Sequence, residues 1–233
     1  MAEETKSSST AAEYFAYITK VMRENEEFLR NNAKETYEEV IELINDAIDN
    51  VGLAVKSAES RKDYIERSMA FFTYHTLMPF SYAIYVDLLA GNVPVCFMEL
   101  RLMLESLVKC YLADSKYPEQ TFFRDRLELL EQENLSTSKL MKGLGEKLGA
   151  ENDFVALWGK LSQDWVHTKG IADKVVGHVI ERGDMPPWAL AIPMNYAESD
   201  LDAIDGLRNR ISQFRGLLTT VMEEYRQEHG FGA

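Results

Sequence analysis

The chain is poor in the residues that carry most enzyme chemistry: its 233 residues hold 2 cysteines, 4 histidines and 6 prolines. No Cys-x-x-Cys, His-Glu-x-x-His or Glu-x-x-His element occurs, so the usual zinc and di-iron arrangements have no ligand set, and neither a metal nor a cofactor is expected. A nucleophile elbow is also missing. GLGEKLG, residues 143–149, has the glycine spacing of a phosphate loop but no preceding strand and no Walker lysine and hydroxyl, and reads as a loosely wound helix end. Cys96 and Cys110 stand 14 positions apart in one apolar run; at ~1.5 Å per residue that is ~21 Å, beyond disulfide reach, so both read as reduced core thiols. Positive charge is scarce, with 25 basic against 38 acidic residues and a net charge of -13, which disfavours RNA and anionic membranes as partners. Residues 1–9 carry Glu3, Glu4 and a serine run instead of a basic segment followed by an apolar block. They read as a flexible tail, and a cytoplasmic location is expected.

Alternating β-type patterns are nearly absent, and apolar residues recur at helical spacing almost throughout. The fold class is therefore all-α: a multi-helix bundle with long N-terminal helices, a central apolar helix and a C-terminal heptad-patterned helix, forming one domain over residues 10–233. Tyr14, Ile18, Val21, Met22 and Leu29 make a first stripe, and Tyr37, Val40, Ile41, Ile44, Ile48, Val51 and Val55 a second. Asn32 with Glu35 reads as an approximate capping box, with the two helices antiparallel. A third helix is expected from about Arg61 to Leu89. Its stretch MAFFTYHTLMPFSYAIYV, residues 69–86, has no formal charge. Its hydroxyls and Pro79 argue for a buried helix, kinked or unwound near the proline, rather than a membrane span. Gly91 and Asn92 end it, and a central helix runs from Val93 to about Ala113, with Pro94 in its first turn. Shorter helices follow Pro118, the cap candidates Ser136 to Ser138, and Asn152.

Residues 170–193 are irregular, broken by Gly177, Gly183, Pro186, Pro187 and Pro193 yet holding Trp188, Leu190 and Ile192; a lid or docking segment is expected. The last helix carries a heptad seam, Ile204, Leu207, Ile211, Phe214, Leu218, Val221 and Tyr225, with Asn195 and Glu198 as its cap. One seam serves equally for packing within the bundle or for a homodimer contact.

The candidate chemistry gathers on the central helix. Arg101, Glu105 and Lys109 are spaced i, i+4, i+8 and form one polar stripe among apolar neighbours. Charges held in such surroundings mark either a structural network or a polar pocket. His229 reads as an exposed helix end, His178 as a residue of the irregular region without a near partner, and His75 as a hydrogen-bonded core histidine. His167 remains, in LSQDWVHTKG beside Trp165, and is expected to face Arg101 and Glu105.

The element RLMLE, residues 101–105, followed on a later helix by Leu161, Ser162 and His167 in an LS-x-x-x-x-H pattern, resembles the HEPN-like helical superfamily, including AbiV-like phage-defence relatives. The similarity covers about residues 35–225. It implies a helical bundle that often dimerises and, in active members, a metal-independent RNase using an arginine and a histidine four to six positions apart on one helix. This sequence departs from that spacing, since no arginine stands within it before His75, His167 or His178.

Three readings follow. The first is a soluble, dimeric binding or interaction module with a polar pocket near Arg101, Glu105 and His167, to which Lys109 and Trp165 contribute. The second is a divergent HEPN-type RNase in which Arg101 holds phosphate, His167 is the general base or acid and Glu105 orients one of them. The third is a small-molecule binder built on the aromatic segment that includes Tyr74 and His75.

Overall fold

In the computed structural model, described for residues 11–57, 66–165 and 194–229, the chain is an all-α bundle with no strand among those residues. The helices are α1 (Ala11–Asn32), α2 (Lys34–Ser57), α3 (Ser68–Phe72), α4 (Met78–Leu89), α5 (Val93–Lys116), α6 (Phe123–Gln132), α7 (Thr137–Leu148), α8 (Glu151–Trp165) and α9 (Leu201–His229). No described helix is long and apolar enough to cross a membrane. The segment 170–193 lies outside the described residues.

The first two helices correct the sequence reading. They do not fold back on each other: Ala33 donates to the Leu29 carbonyl and Tyr37 to the Ala33 carbonyl, so helical bonding continues through the junction. Glu26, Arg30 and Tyr37 are joined along one face, with Tyr37 Oη 2.9 Å from Glu26 Oε1 and Arg30 Nη2 2.8 Å from Tyr37 Oη. That i, i+4, i+11 alignment requires one helix to follow the other. Asn32 caps nothing, and its amide donates back to Phe28 O. Tyr14, expected in the first stripe, is exposed.

A 5-residue π-helical turn, Thr73–Leu77, joins α3 to α4, with the Met78 N–H reaching back to Thr73 O. The cause is Pro79, which has no N–H and whose ring crowds the carbonyl four residues earlier; widening the turn relieves both problems. Gly91, at φ +77°, then turns the chain into α5. A Cβ there would lie 2.2 Å from the Met194 carbonyl oxygen, because residue 194 passes against this turn and donates to Ala90 O. Buried Asn25 fastens the junction: its Nδ2 donates to Leu89 O at 2.8 Å and Met194 O at 2.7 Å, and its Oδ1 accepts from Tyr196 N–H at 2.9 Å.

Helix α5 is the centre, with Leu100, Met103, Leu104, Leu107, Val108 and Tyr111 fully enclosed. Both cysteines on it are buried free thiols, and burial pushes them above the usual thiol range. GLGEKLG falls in the last turns of α7, which closes on Gly149 in the left-handed region. Gly145 lets α8 approach closely, since a Cβ there would meet Glu151 Cα at 2.4 Å. Ser136 caps α7, accepting from the Lys139 N–H. Asn152 lies inside α8, which begins at Glu151.

Every residue of the C-terminal seam, from Ile204 to Tyr225, is buried within this one chain. The seam packs in cis, the first of its two readings, and these residues leave no face for a homodimer contact. A 3-10 turn, Glu198–Asp200, precedes α9, and the cap is Asp200, whose carboxylate accepts from Ala197 N–H at 2.7 Å. Asn195 instead donates to Glu24. Arg215 fastens α9 to α2 through Asp46 at 2.6 Å and Glu39 at 2.9 Å.

Candidate functional site

The polar stripe of the central helix divides in two. Arg101 Nε donates to Glu105 Oε1 at 2.9 Å, one helical turn apart, and the same oxygen accepts from the Trp158 indole N–H at 2.8 Å. Trp158 stands on α8, so the bond ties α8 to α5, and the Arg101 guanidinium carbon lies 5.6 Å from the Trp158 ring centroid, within cation–π range. The Arg101 and Glu105 side chains are 21% and 20% exposed.

This arrangement orients Arg101 without saturating it. Nε is bound and the guanidinium plane is held near Trp158, while Nη1 and Nη2 make no hydrogen bond or ion pair with any described residue. Those two nitrogens are the edge that matches a carboxylate or phosphate in a two-point contact. Leu102, next in sequence and about 100° round the helix, is 45% exposed.

Lys109 belongs elsewhere. It is partly buried, makes no hydrogen bond or ion pair with Glu105 or any other described residue, and lines a separate cavity against α6 and α7. Eight positions along a 3.6-residue helix rotate it by about 80° from Arg101, enough to aim it at another neighbour. Tyr74 is half-buried on the π-helical turn, and burial raises its phenol. His75 corrects the reading of a core histidine: it is exposed, its ring 5.3 Å from that of Phe71. Neither Tyr74 nor His75 shares a hydrogen bond with Arg101 or Glu105. His167 and His178 lie outside the described residues, as does the Trp165 side chain, so the contact expected between His167 and the Arg101 pair has no counterpart to report.

His229 is also corrected. It is three-quarters buried at the end of α9, its ring 4.5 Å from that of Tyr225, with Nε2 enclosed, without a hydrogen-bond partner and 3.8 Å from Glu228 Oε2. Burial lowers its basicity. Beside it, Glu228 bridges Lys147 at 2.7 Å and Tyr111 Oη at 2.7 Å.

Asp114 is the strongest buried polar centre, 1% exposed. Its Oδ1 accepts from Ser68 N–H and Arg126 Nη1, both at 2.8 Å, and its Oδ2 from Met69 N–H at 3.0 Å and Tyr225 Oη at 2.7 Å. Four donors on two oxygens leave no acceptor for a substrate, so this is a structural hub that caps α3 and binds α6 and α9 to α5. Its signal in the sequence is one acid at the end of the apolar run of α5. Trp158 has no comparable signal, because its partner stands 53 positions away.

Glu99 and Asp87 form a carboxyl pair across the α4–α5 turn. Burial, then the charge of Asp87, raises Glu99 to about 8, while Asp87 Oδ1 accepts from Asn92 Nδ2 at 2.8 Å. Among the described residues no cluster of three or more histidine, cysteine or acidic groups could hold a metal. No family model, no curated protein and no solved structure matches this chain.

Proposed function

We propose that the chain is a helical binding module that recognises an oxyanion, a carboxylate or phosphate group, carried by a molecule with an adjacent apolar part. The observation that carries this reading is Arg101, oriented through Nε by a Glu105 that is itself held by Trp158, with both Nη nitrogens uncommitted. Pre-orienting a guanidinium lowers the entropy lost on binding. The Trp158 ring suits an apolar neighbour to the anion. The net charge of -13 opposes polyanions, so one charged group on a compact ligand fits better than a nucleic-acid backbone. Calorimetric titration with phenyl phosphate and benzoate tests it: at least one binds, and Arg101→Gln weakens that binding by about tenfold or more, roughly the worth of one charge-assisted contact. Absence of binding by both, or equal binding by the variant, refutes it.

A second reading, the HEPN-type RNase, draws support from one observation. RLMLE and the Leu161–Ser162 start of the second element lie on helices joined by the Trp158–Glu105 bond, with Leu161 and Ser162 buried one turn beyond Trp158. In that reading Arg101 holds a scissile phosphate and His167 exchanges the proton. Metal-independent cleavage of single-stranded RNA that is lost in both Arg101→Gln and His167→Gln supports it, and intact RNA refutes it.

A further inference from the structure

A concave site lies between α5, α6 and α7, a cavity of about 350 Å³, within the size range of small-ligand pockets and roughly twelve water volumes. Leu127, Leu130 and Leu140 form its apolar walls, and Lys109 and Glu131 are its charged groups. The backbone makes the shape: Asn134, at φ 52°, turns the chain between α6 and α7 and brings Ser136 and Thr137 into the lining.

We infer that this cavity binds a small amphipathic monocarboxylate, its carboxylate on Lys109 and its hydrocarbon chain among the leucines. Lys109 is partly buried and without a hydrogen-bond or ion-pair partner among the described residues, and an ammonium in that position gains most from an anion. Glu131, an exposed acid that lines the cavity from α6, disfavours a phosphate dianion more than a monocarboxylate. The polar groups are confined to Lys109, Glu131 and the Asn134–Thr137 turn, so the remaining lining suits an alkyl chain. The site is separate from Arg101 and does not depend on its reading.

The test is titration of the full chain carrying Arg101→Gln, which removes the oxyanion site proposed above, with octanoate, octanol and octyl phosphate. Octanoate binds, and the alcohol and the phosphate bind at least about tenfold more weakly. In that background Lys109→Met loses about tenfold or more in octanoate affinity, and Lys109→Arg retains most of it. Circular dichroism confirms that each variant is folded. No octanoate binding at millimolar concentration, octanol binding as tightly as octanoate, or a folded Lys109→Met with unchanged affinity overturns the inference. So does octanoate binding by the parent that vanishes altogether in Arg101→Gln, which would move the ligand to the other site.

Discussion

Replacing Asp114 by alanine removes the acceptor for four donors at once. The Ser68 and Met69 N–H groups, the Tyr225 hydroxyl and the Arg126 guanidinium all converge on one carboxylate that is 1% exposed. Removing one partner of a buried ion pair costs about 3–5 kcal/mol, and each further donor left unsatisfied adds about 1–3 kcal/mol where water cannot reach it. Two effects reduce the sum. Arg126 keeps its bonds to Gln120 O and Pro118 O, and a water can enter the space left by the carboxylate. A loss of about 4–6 kcal/mol is therefore expected, a large share of the ~5–15 kcal/mol stability of an ordinary domain. Asp114→Asn retains one acceptor oxygen but turns an NH2 toward two donors, for a loss of about 2–3 kcal/mol, while Tyr225→Phe removes one donor and costs about 1 kcal/mol. Urea unfolding of the three variants at neutral pH measures these differences, with unchanged m-values as the check that the unfolded states are comparable. A loss below about 1 kcal/mol for Asp114→Ala would refute the description of this residue as the hub joining α3, α6 and α9 to α5.

Two further perturbations separate other parts of the structure. Glu99, raised to about 8 by burial and by Asp87, binds a proton more tightly folded than unfolded, so its contribution is intact below about pH 4.5 and is lost as pH rises toward 8. Allowing for solvent screening of a partly exposed group, Glu99→Gln should gain about 1–2 kcal/mol on the parent at pH 8 and nothing near pH 4.5, as measured by urea unfolding at several pH values. An unchanged pH profile would contradict the carboxyl pair. Ile211 is fully buried in the cis-packed seam, so Ile211→Glu should unfold the chain, with loss of helical circular dichroism and more than about 4 kcal/mol of stability. A folded variant with altered sedimentation would return the seam to an interface between chains.

How much of this was legible in the sequence depended on whether one helix or two had to be read. The central helix and the C-terminal seam are legible because their apolar residues are dense and most turn inward, as Leu100, Leu104, Ile211 and Phe214 show. On α2 the face was only partly so. Ile41, Ile48 and Val55 repeat at seven positions, and such a line drifts about 20° per heptad on a straight helix. Ile48 and Val55 consequently end up exposed, with Leu43, Ala47 and Ala54 buried instead. The charge-free stretch around Pro79 announced its distortion but not its orientation, so His75 was read as buried when it lies on the face that Pro79, Tyr82 and Val86 present outward. Arg101 and Glu105 were identifiable from spacing within one helix. Trp158 was not, because a contact between helices is set by packing that no local pattern records. Lys109 was assigned to the wrong neighbour for the same reason.

The most direct test of the Arg101 reading is the indole N–H resonance of Trp158 in an isotope-labelled chain, since that proton is bonded to the carboxylate that orients Arg101. Saturable shifts of this resonance during titration with phenyl phosphate or benzoate, lost in Arg101→Gln and unaffected by Lys109→Met, are the expected result. A resonance that stays in place for both ligands up to millimolar concentration, or that shifts equally in Arg101→Gln, would contradict a binding site built on this arginine.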